Sequence, residues 1–380
     1  MPPWYSVISV STVNSDAHRG SAILSPVFDN LRRAAGAGLV ATAAWLLAGP
    51  SADVAAARGL PQGGQTSIAA PDGLDVLQLR PNFFMIAGGG GNVGVQIGED
   101  GVIVIDAGSS AKAADVLTAI QKLTPKPIRY IIDTSADPDH VGGNETISKA
   151  GQTLFTAPGS IALPGNFLGG VASILSAEKV LTRMSAPTGQ ASSYPAAALP
   201  TETFDQARKY MFLNGEGIEV LHQPAAHSDG DVVVFFRRSD VVVAGDILDM
   251  TRFPVIDVEK GGTIEGEIAA LSKLVELAIP SVPIVTREAG TIVIPGHGHL
   301  CDQLDIVEYR DMVSIIRDRV RDLKDAGRSL DQAKAASPAR GYTRRYGSDS
   351  SWTTDRFVEA IYKSLPRSAA EARGAKAPGK

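Results

Sequence analysis

Thr134-Ser135-Ala136-Asp137-Pro138-Asp139-His140-Val141-Gly142-Gly143-Asn144 follows directly on the apolar run Ile128-Arg129-Tyr130-Ile131-Ile132-Asp133. The run reads as a buried strand that continues to Thr134. The polar stretch then reads as a loop at the strand's C-terminal end, where α/β proteins place their chemistry. Upstream, Gly101-Val102-Ile103-Val104-Ile105-Asp106 predicts another buried strand leading into Ala107-Gly108. Ala111 to Leu123 then carries Ala114, Leu117, Ile120 and Leu123 at helical spacing. Downstream, Val232 to Phe236 and Val241 to Ala244 predict a strand pair turned by Arg238-Ser239-Asp240, with Asp246 directly after it. Thr291 to Ile294 predicts one more strand, ending in Pro295-Gly296-His297-Gly298-His299. Strands alternating with helical stretches define an α/β domain.

Composition limits what such a domain does. The 380 residues are 44% hydrophobic and 20% charged, enough to bury a sizeable core and unlike a disordered or fibrous chain. Lys plus Arg total 36 against 41 Asp plus Glu, so the net charge of −5 offers no footprint for nucleic acid or an anionic membrane surface. A small-molecule substrate is the expected partner; the oligomeric state is not legible. The lone Cys301 cannot close an internal disulfide and reads as a small buried residue.

The N-terminus argues for export. Arg32-Arg33 precede the apolar stretch Ala34 to Leu47, followed by Gly49-Pro50 and Ala55-Ala56-Ala57, the order of a cleaved signal peptide. That stretch falls short of the roughly 20 residues a membrane-spanning helix needs, so no stable membrane insertion is expected after cleavage. Residues 1–57 are therefore a leader, 71–366 the domain and 367–380 a flexible tail, with a periplasmic or secreted location. Within the domain, Leu304 to Leu323 places Ile306, Tyr309, Val313, Ile316, Val320 and Leu323 on one helical face. Asn166 to Pro200 is rich in Ala, Ser, Gly and Pro, and reads as an insertion bordering the site, with a helix around Val171 to Met184.

A lone histidine is more often structural than a ligand. Here four of the six fall in strand-end loops: His140 after Asp139, His227 in Pro224-Ala225-Ala226-His227-Ser228-Asp229-Gly230-Asp231, and His297 and His299. Asp246 joins them. Imidazole and carboxylate together suit zinc, or iron or manganese. Asp106 reads as an acceptor that orients the loop. His222 reads as structural, and Gly88-Gly89-Gly90-Gly91 as a turn beside the cleft rather than a phosphate loop.

The order of these segments resembles the metallo-β-lactamase-fold hydrolases. The matching pieces are Gly91-Asn92-Val93-Gly94 with Gly101 to Gly108, Asp139-His140-Val141-Gly142-Gly143-Asn144, His227-Ser228-Asp229-Gly230-Asp231, Gly245-Asp246 and Pro295-Gly296-His297-Gly298. The likeness runs from about Leu77 to Leu365 and implies a four-layer αββα sandwich with a metal cleft at one edge. It makes Asp139, His140 and His297 ligands of a second metal, Asp246 a bridge between two metals, and His227 a ligand of the first. The family loop reads Thr-His-x-His-x-Asp-His-x-Gly-Gly, so Ser135 and Asp137 stand where two first-site histidines belong. Serine is a poor zinc ligand, whereas Asp137 can coordinate. A further family histidine, expected near Ser176-Ala177-Glu178-Lys179, is absent.

Three readings follow from the resemblance. The first is a hydrolase with two zinc ions and an unusual first site made of Asp137, His227 and Asp246, in which a metal-bound hydroxide attacks an ester, lactone, thioester or amide-type substrate and Asp139 orients it or takes its proton. The second is a mononuclear hydrolase using only the second site. The third is a catalytically inactive binding protein that retains at most one metal. Trp4, Trp45 and Trp352 offer no stacking platform near the motif on this reading.

Overall fold

In a computed structural model, residues 66–68, 73–154, 170–185, 190–281, 290–347 and 349–366 are described. The chain divides into two units, Met1–Ala57 and Arg58–Lys380, and all described residues belong to the second. The expected leader, the 367–380 tail and part of the 166–200 insertion lie outside them. Among the described residues no helix is long and apolar enough to cross a membrane.

Eight strands form one sheet in sequence order: β1 (Thr66–Ile68), β2 (Asp75–Arg80), β3 (Phe83–Ala87), β4 (Val93–Ile97), β5 (Val102–Ile105), β6 (Ile128–Ile132), β7 (Ser173–Ala177) and β8 (Glu202–Phe204). β1 to β5 pair antiparallel, and β5 through β8 pair parallel. The second sheet holds β9 (Arg208–Leu213), β10 (Glu216–Gln223), β11 (Asp231–Phe236), β12 (Val241–Asp249) and β13 (Ile292–His297), ordered β13-β12-β11-β10-β9.

The strand sequences explain why two sheets stack. In β5, Ile103 and Ile105 enter one core cluster while Val102 and Val104 enter another. In β12, Val241 and Val243 join Ile103 and Ile105, whereas Val242 and Ala244 face the opposite way. Continuous Val/Ile runs of this kind suit strands buried on both faces. The inner cluster, with Phe83 edge-on to Phe236 at 4.9 Å between ring centroids, glues sheet to sheet. The outer face of the first sheet takes α1 (Ala113–Leu123) through Val116, Ala119 and Ile120. Two short helices, α2 (Pro138–Val141) within the motif and α3 (Asn144–Lys149) from its last residue, come next, and α4 (Glu178–Met184) follows β7.

The outer face of the second sheet takes α5 (Ile264–Leu277) and α6 (Gln303–Asp325), then α9 (Thr354–Ser364); α7 (Leu330–Ala335) and α8 (Thr343–Tyr346) lie between the last two in sequence. The helical stripe of Ile306, Tyr309, Val313, Ile316 and Val320 is buried as expected, and Asp302 and Asp305 close a capping box at its start. The result is the expected αββα sandwich.

Three local expectations need correction. Residues 171–184 are only half helical, because Ser173–Ala177 forms β7, held parallel between β6 and β8. Strand pairing there overrides local helical spacing. Strand β12 runs on to Asp249, so Asp246 lies within it, after a register shift at Gly245. The motif does not stay a loop: Pro138 at the first helical turn opens α2, with φ already set for a helix.

Candidate metal centre

The site is built at one end of both sheets. Asp106 leaves β5 in the left-handed region at φ 62, and its buried carboxylate accepts hydrogen bonds from Thr134 N and Thr134 Oγ1, both at 2.7 Å. The same carboxylate accepts a hydrogen bond from His140 Nδ1 at 2.8 Å. That bond fixes the tautomer, so the fully buried His140 turns Nε2 toward Asp246 Oδ1 at 3.1 Å. Gly91 allows this packing, since a Cβ there would lie 2.7 Å from His140 Cε1. Asn92 ties the glycine turn to the last strand end, donating to Pro295 O at 2.9 Å and Gly298 O at 3.0 Å. The turn expected at Gly88 to Gly91 thus lies beside the site.

Asp139, His140 and His297 form one group of converging donor atoms, and Asp137, His227 and Asp246 form another, each within 4.8 Å. His297 Nε2 lies 3.2 Å from Asp139 Oδ2 and 3.4 Å from Asp246 Oδ1, yet neither approach is aligned as a hydrogen bond, so this buried nitrogen has no hydrogen-bond partner. In the other group, His227 Nδ1 donates to Val255 O at 2.8 Å and Nε2 meets Asp137 Oδ2 at 2.8 Å. Asp246 belongs to the second group and also pairs with His140 at 3.1 Å and His297 at 3.4 Å of the first. Ser135 joins neither. Its hydroxyl accepts from Asp137 N at 3.2 Å and supports the turn.

Charge follows from this packing. Burial opposes ionisation of Asp246, but His140, His297 and His227 hold its carboxyl well below the usual range. Burial also disfavours charged His140, and the Asp246 and Asp106 carboxylates overcome it, raising that imidazole well above its ordinary value. His227 is pushed up to about 10 and His297 to about 9, against burial, by Asp137 and by Asp139 with Asp246 respectively. Without an added cation, the histidines themselves neutralise the aspartates. Beneath them, burial lifts Asp231 to about 6, although Ser228 N and Ser228 Oγ donate to it at 2.6 and 2.8 Å.

A cleft of about 190 Å³ opens on Asp137, Asp139, His227 and Asp246, with Arg252, Val255 and Trp352 on its walls. Trp352 therefore does border the motif, which corrects the expectation. Its Nε1 donates to Pro254 O at 3.1 Å, and Arg252 joins Asp249 Oδ2 at 2.7 Å to Asp349 Oδ2 at 2.8 Å. Sequence inspection offered no signal for this wall, because the 349–352 segment reaches the cleft only through tertiary packing. Lys260 was missed as well: its Nζ lies 3.4 Å from Asp137 Oδ1 and 2.8 Å from Asp257 Oδ2. His299 is exposed and stands outside both groups, while His222 Nε2 meets Asp229 O at 2.9 Å and Cys301 is buried, as structural residues do.

Two buried imidazoles with pinned Nδ1 atoms, a third whose Nε2 lacks a hydrogen bond, and three convergent carboxylates fit a divalent cation in donor chemistry and placement. Comparisons with known proteins agree with the fold. The linear primary-alkylsulfatase of Pseudomonas sp. (strain ATCC 19151) is 22% identical over 245 residues, 58% of this chain and 44% of that protein. The chain thus spans less than half the length of this curated relative. Among solved structures, the stereoselective inverting sec-alkylsulfatase Pisa1 from Pseudomonas sp. matches 80% of this chain and 52% of its own at 13% identity and a TM-score of 0.53. A metallo-beta-lactamase from Pontibacter korlensis matches 66% of this chain and 99% of its own at 14% identity and a TM-score of 0.44. The profile of the metallo-beta-lactamase superfamily covers residues 86–282, from the strand before the glycine turn to beyond α5, and this chain belongs to that superfamily.

Proposed function

We propose that the protein is a metal-dependent hydrolase of an ester-type substrate, with zinc as the ion and a sulfate ester as the substrate to test first. The observation that carries this reading is the convergence of Asp139, His140, His297, Asp137, His227 and Asp246 from separate strand ends at one cleft. The sulfate ester is favoured by the curated relative, a linear primary-alkylsulfatase; lactones, thioesters and amides follow it. When bound, a divalent ion there supplies Lewis acidity and a nucleophile competent near neutral pH.

The chain's own residues do the rest. Asp106 holds His140 in one tautomer, and the Val255 carbonyl does the same for His227. Asp139, kept ionised by its contact with His297 against the cost of burial, orients the attacking water and accepts its proton. Trp352 and Val255 present apolar surface to the organic part of the substrate. Export through the 1–57 leader would place this chemistry in the periplasm or outside the cell.

The test combines metal analysis by inductively coupled plasma mass spectrometry with hydrolysis of aryl and alkyl sulfates, esters and lactones. Turnover abolished by a chelator and restored by Zn²⁺ is the expected result. A purified protein that retains no ion and gains none from millimolar Zn²⁺ would sink the reading and favour a non-catalytic binding protein.

A further inference from the structure

We propose that Lys260 supplies the positive charge of the altered half of the centre, so that the two groups of donors fill unequally and in a fixed order. The inference rests on the metal-binding reading above and concerns a residue outside both donor groups. In the Asp139, His140 and His297 group, the carboxylates of Asp139 and Asp246 pair, among the described residues, with histidines alone, and the buried His297 Nε2 has no aligned hydrogen bond. In the Asp137, His227 and Asp246 group, Asp137 is already satisfied on both oxygens. Oδ2 faces His227 Nε2 at 2.8 Å, and Oδ1 faces the Lys260 ammonium at 3.4 Å.

An ammonium this close to a ligand carboxylate repels an incoming dication and must move before the group can close on one. The fold gives it somewhere to go. Lys260 Nζ is also 2.8 Å from Asp257 Oδ2, and its side chain is 43% exposed, so it can leave Asp137 while keeping a carboxylate partner in contact with water. The Asp257 backbone is fixed by donation from its N–H to His227 O at 2.8 Å, which keeps that second partner beside the site. Tyr194, whose hydroxyl donates to Ala136 O at 3.4 Å, comes from the insertion and adds no cation of its own. Lys260 therefore acts as a gate on charge rather than as a ligand. The Asp139, His140 and His297 group takes the first ion, and the Asp137, His227 and Asp246 group takes a second only as Lys260 shifts to Asp257.

An exposed pair of this kind is worth up to about 1 kcal/mol, which converts to about fivefold in a dissociation constant. Isothermal titration of the metal-free full-length protein with Zn²⁺, checked by metal content after dialysis, should show one tight and one weaker step. Lys260→Met should tighten the weaker step about fivefold and leave the tight step unchanged, whereas Lys260→Arg, which keeps the charge, should leave both in place. Two equal steps in the wild type, or a weaker step indifferent to Lys260→Met, would overturn the inference while leaving the metal reading intact. No binding in either protein would overturn both. Because the side chain is half exposed, thermal melting of the metal-free variants should stay close to wild type, which separates a change in affinity from a change in folding.

Discussion

The two halves of the centre are made from the same residue types and differ in what holds them. His140 is fully buried, locked by Asp106 and flanked by a glycine turn that leaves no room for a side chain. On the other side, Asp137 is 23% exposed and shares its oxygens with His227 and Lys260. In the first half the carboxylates pair with histidines alone; in the second an ammonium of the chain shares the charge of Asp137. One set can therefore be rigid and the other adaptable, because the support of each comes from different neighbours.

The largest effect should come from His140→Ala. It removes a proposed ligand and leaves Asp106 buried without its imidazole partner, which costs about 3–5 kcal/mol of stability. Metal analysis should show one ion per chain lost, and a melt a correspondingly lower midpoint. Asp106→Asn keeps His140 but withdraws the group that fixes its tautomer; affinity for the first ion should fall about ten- to a hundredfold. If the metal content of that variant matched the wild type under competition with a chelator, the rigidity assigned to this half would be wrong.

Asp137→Ala should touch the other half alone. The weaker ion should be lost, the tight one retained, and stability should fall by about 1–3 kcal/mol, since the buried His227 Nε2 loses its carboxylate partner at 2.8 Å. Loss of both ions in this variant would erase the distinction between the halves.

Protonation offers a further comparison, between metal-free and loaded protein. The folded-state values of His227, about 10, and His297, about 9, lie above their unfolded value, so their contribution is fully present below about pH 6.5 and is lost as pH rises through 9 to 10. The melting temperature of the metal-free protein should therefore fall across that range. An ion must displace those protons, so its affinity should rise with pH over the same interval. Parallel pH profiles for both forms would mean that the histidines do not meet the ion. The smallest effect on metal should come from Trp352→Ala, which should leave both binding steps unchanged and raise KM for substrates with an apolar group.

Much of this was legible in the chain. The Val/Ile runs at 102–105, 128–132, 232–236 and 241–244 specify strands buried on both faces, and every donor residue sits at or near the end of such a run. Less legible were the elements whose conformation depends on neighbours. Ser173–Ala177 became a strand because β6 and β8 flank it, and the motif became a helix because Pro138 starts one.

By itself, then, the sequence determined the alternation that builds the sandwich and the donor types available at its edge, because both depend on local periodicity and on side-chain chemistry. The tertiary structure alone decided that Trp352 walls the cleft, that Arg252 ties the 349–352 segment beside it, and that Lys260 meets Asp137. Such contacts join residues far apart in the chain. No local pattern encodes them; they exist only once the packed layers have fixed where each loop must pass.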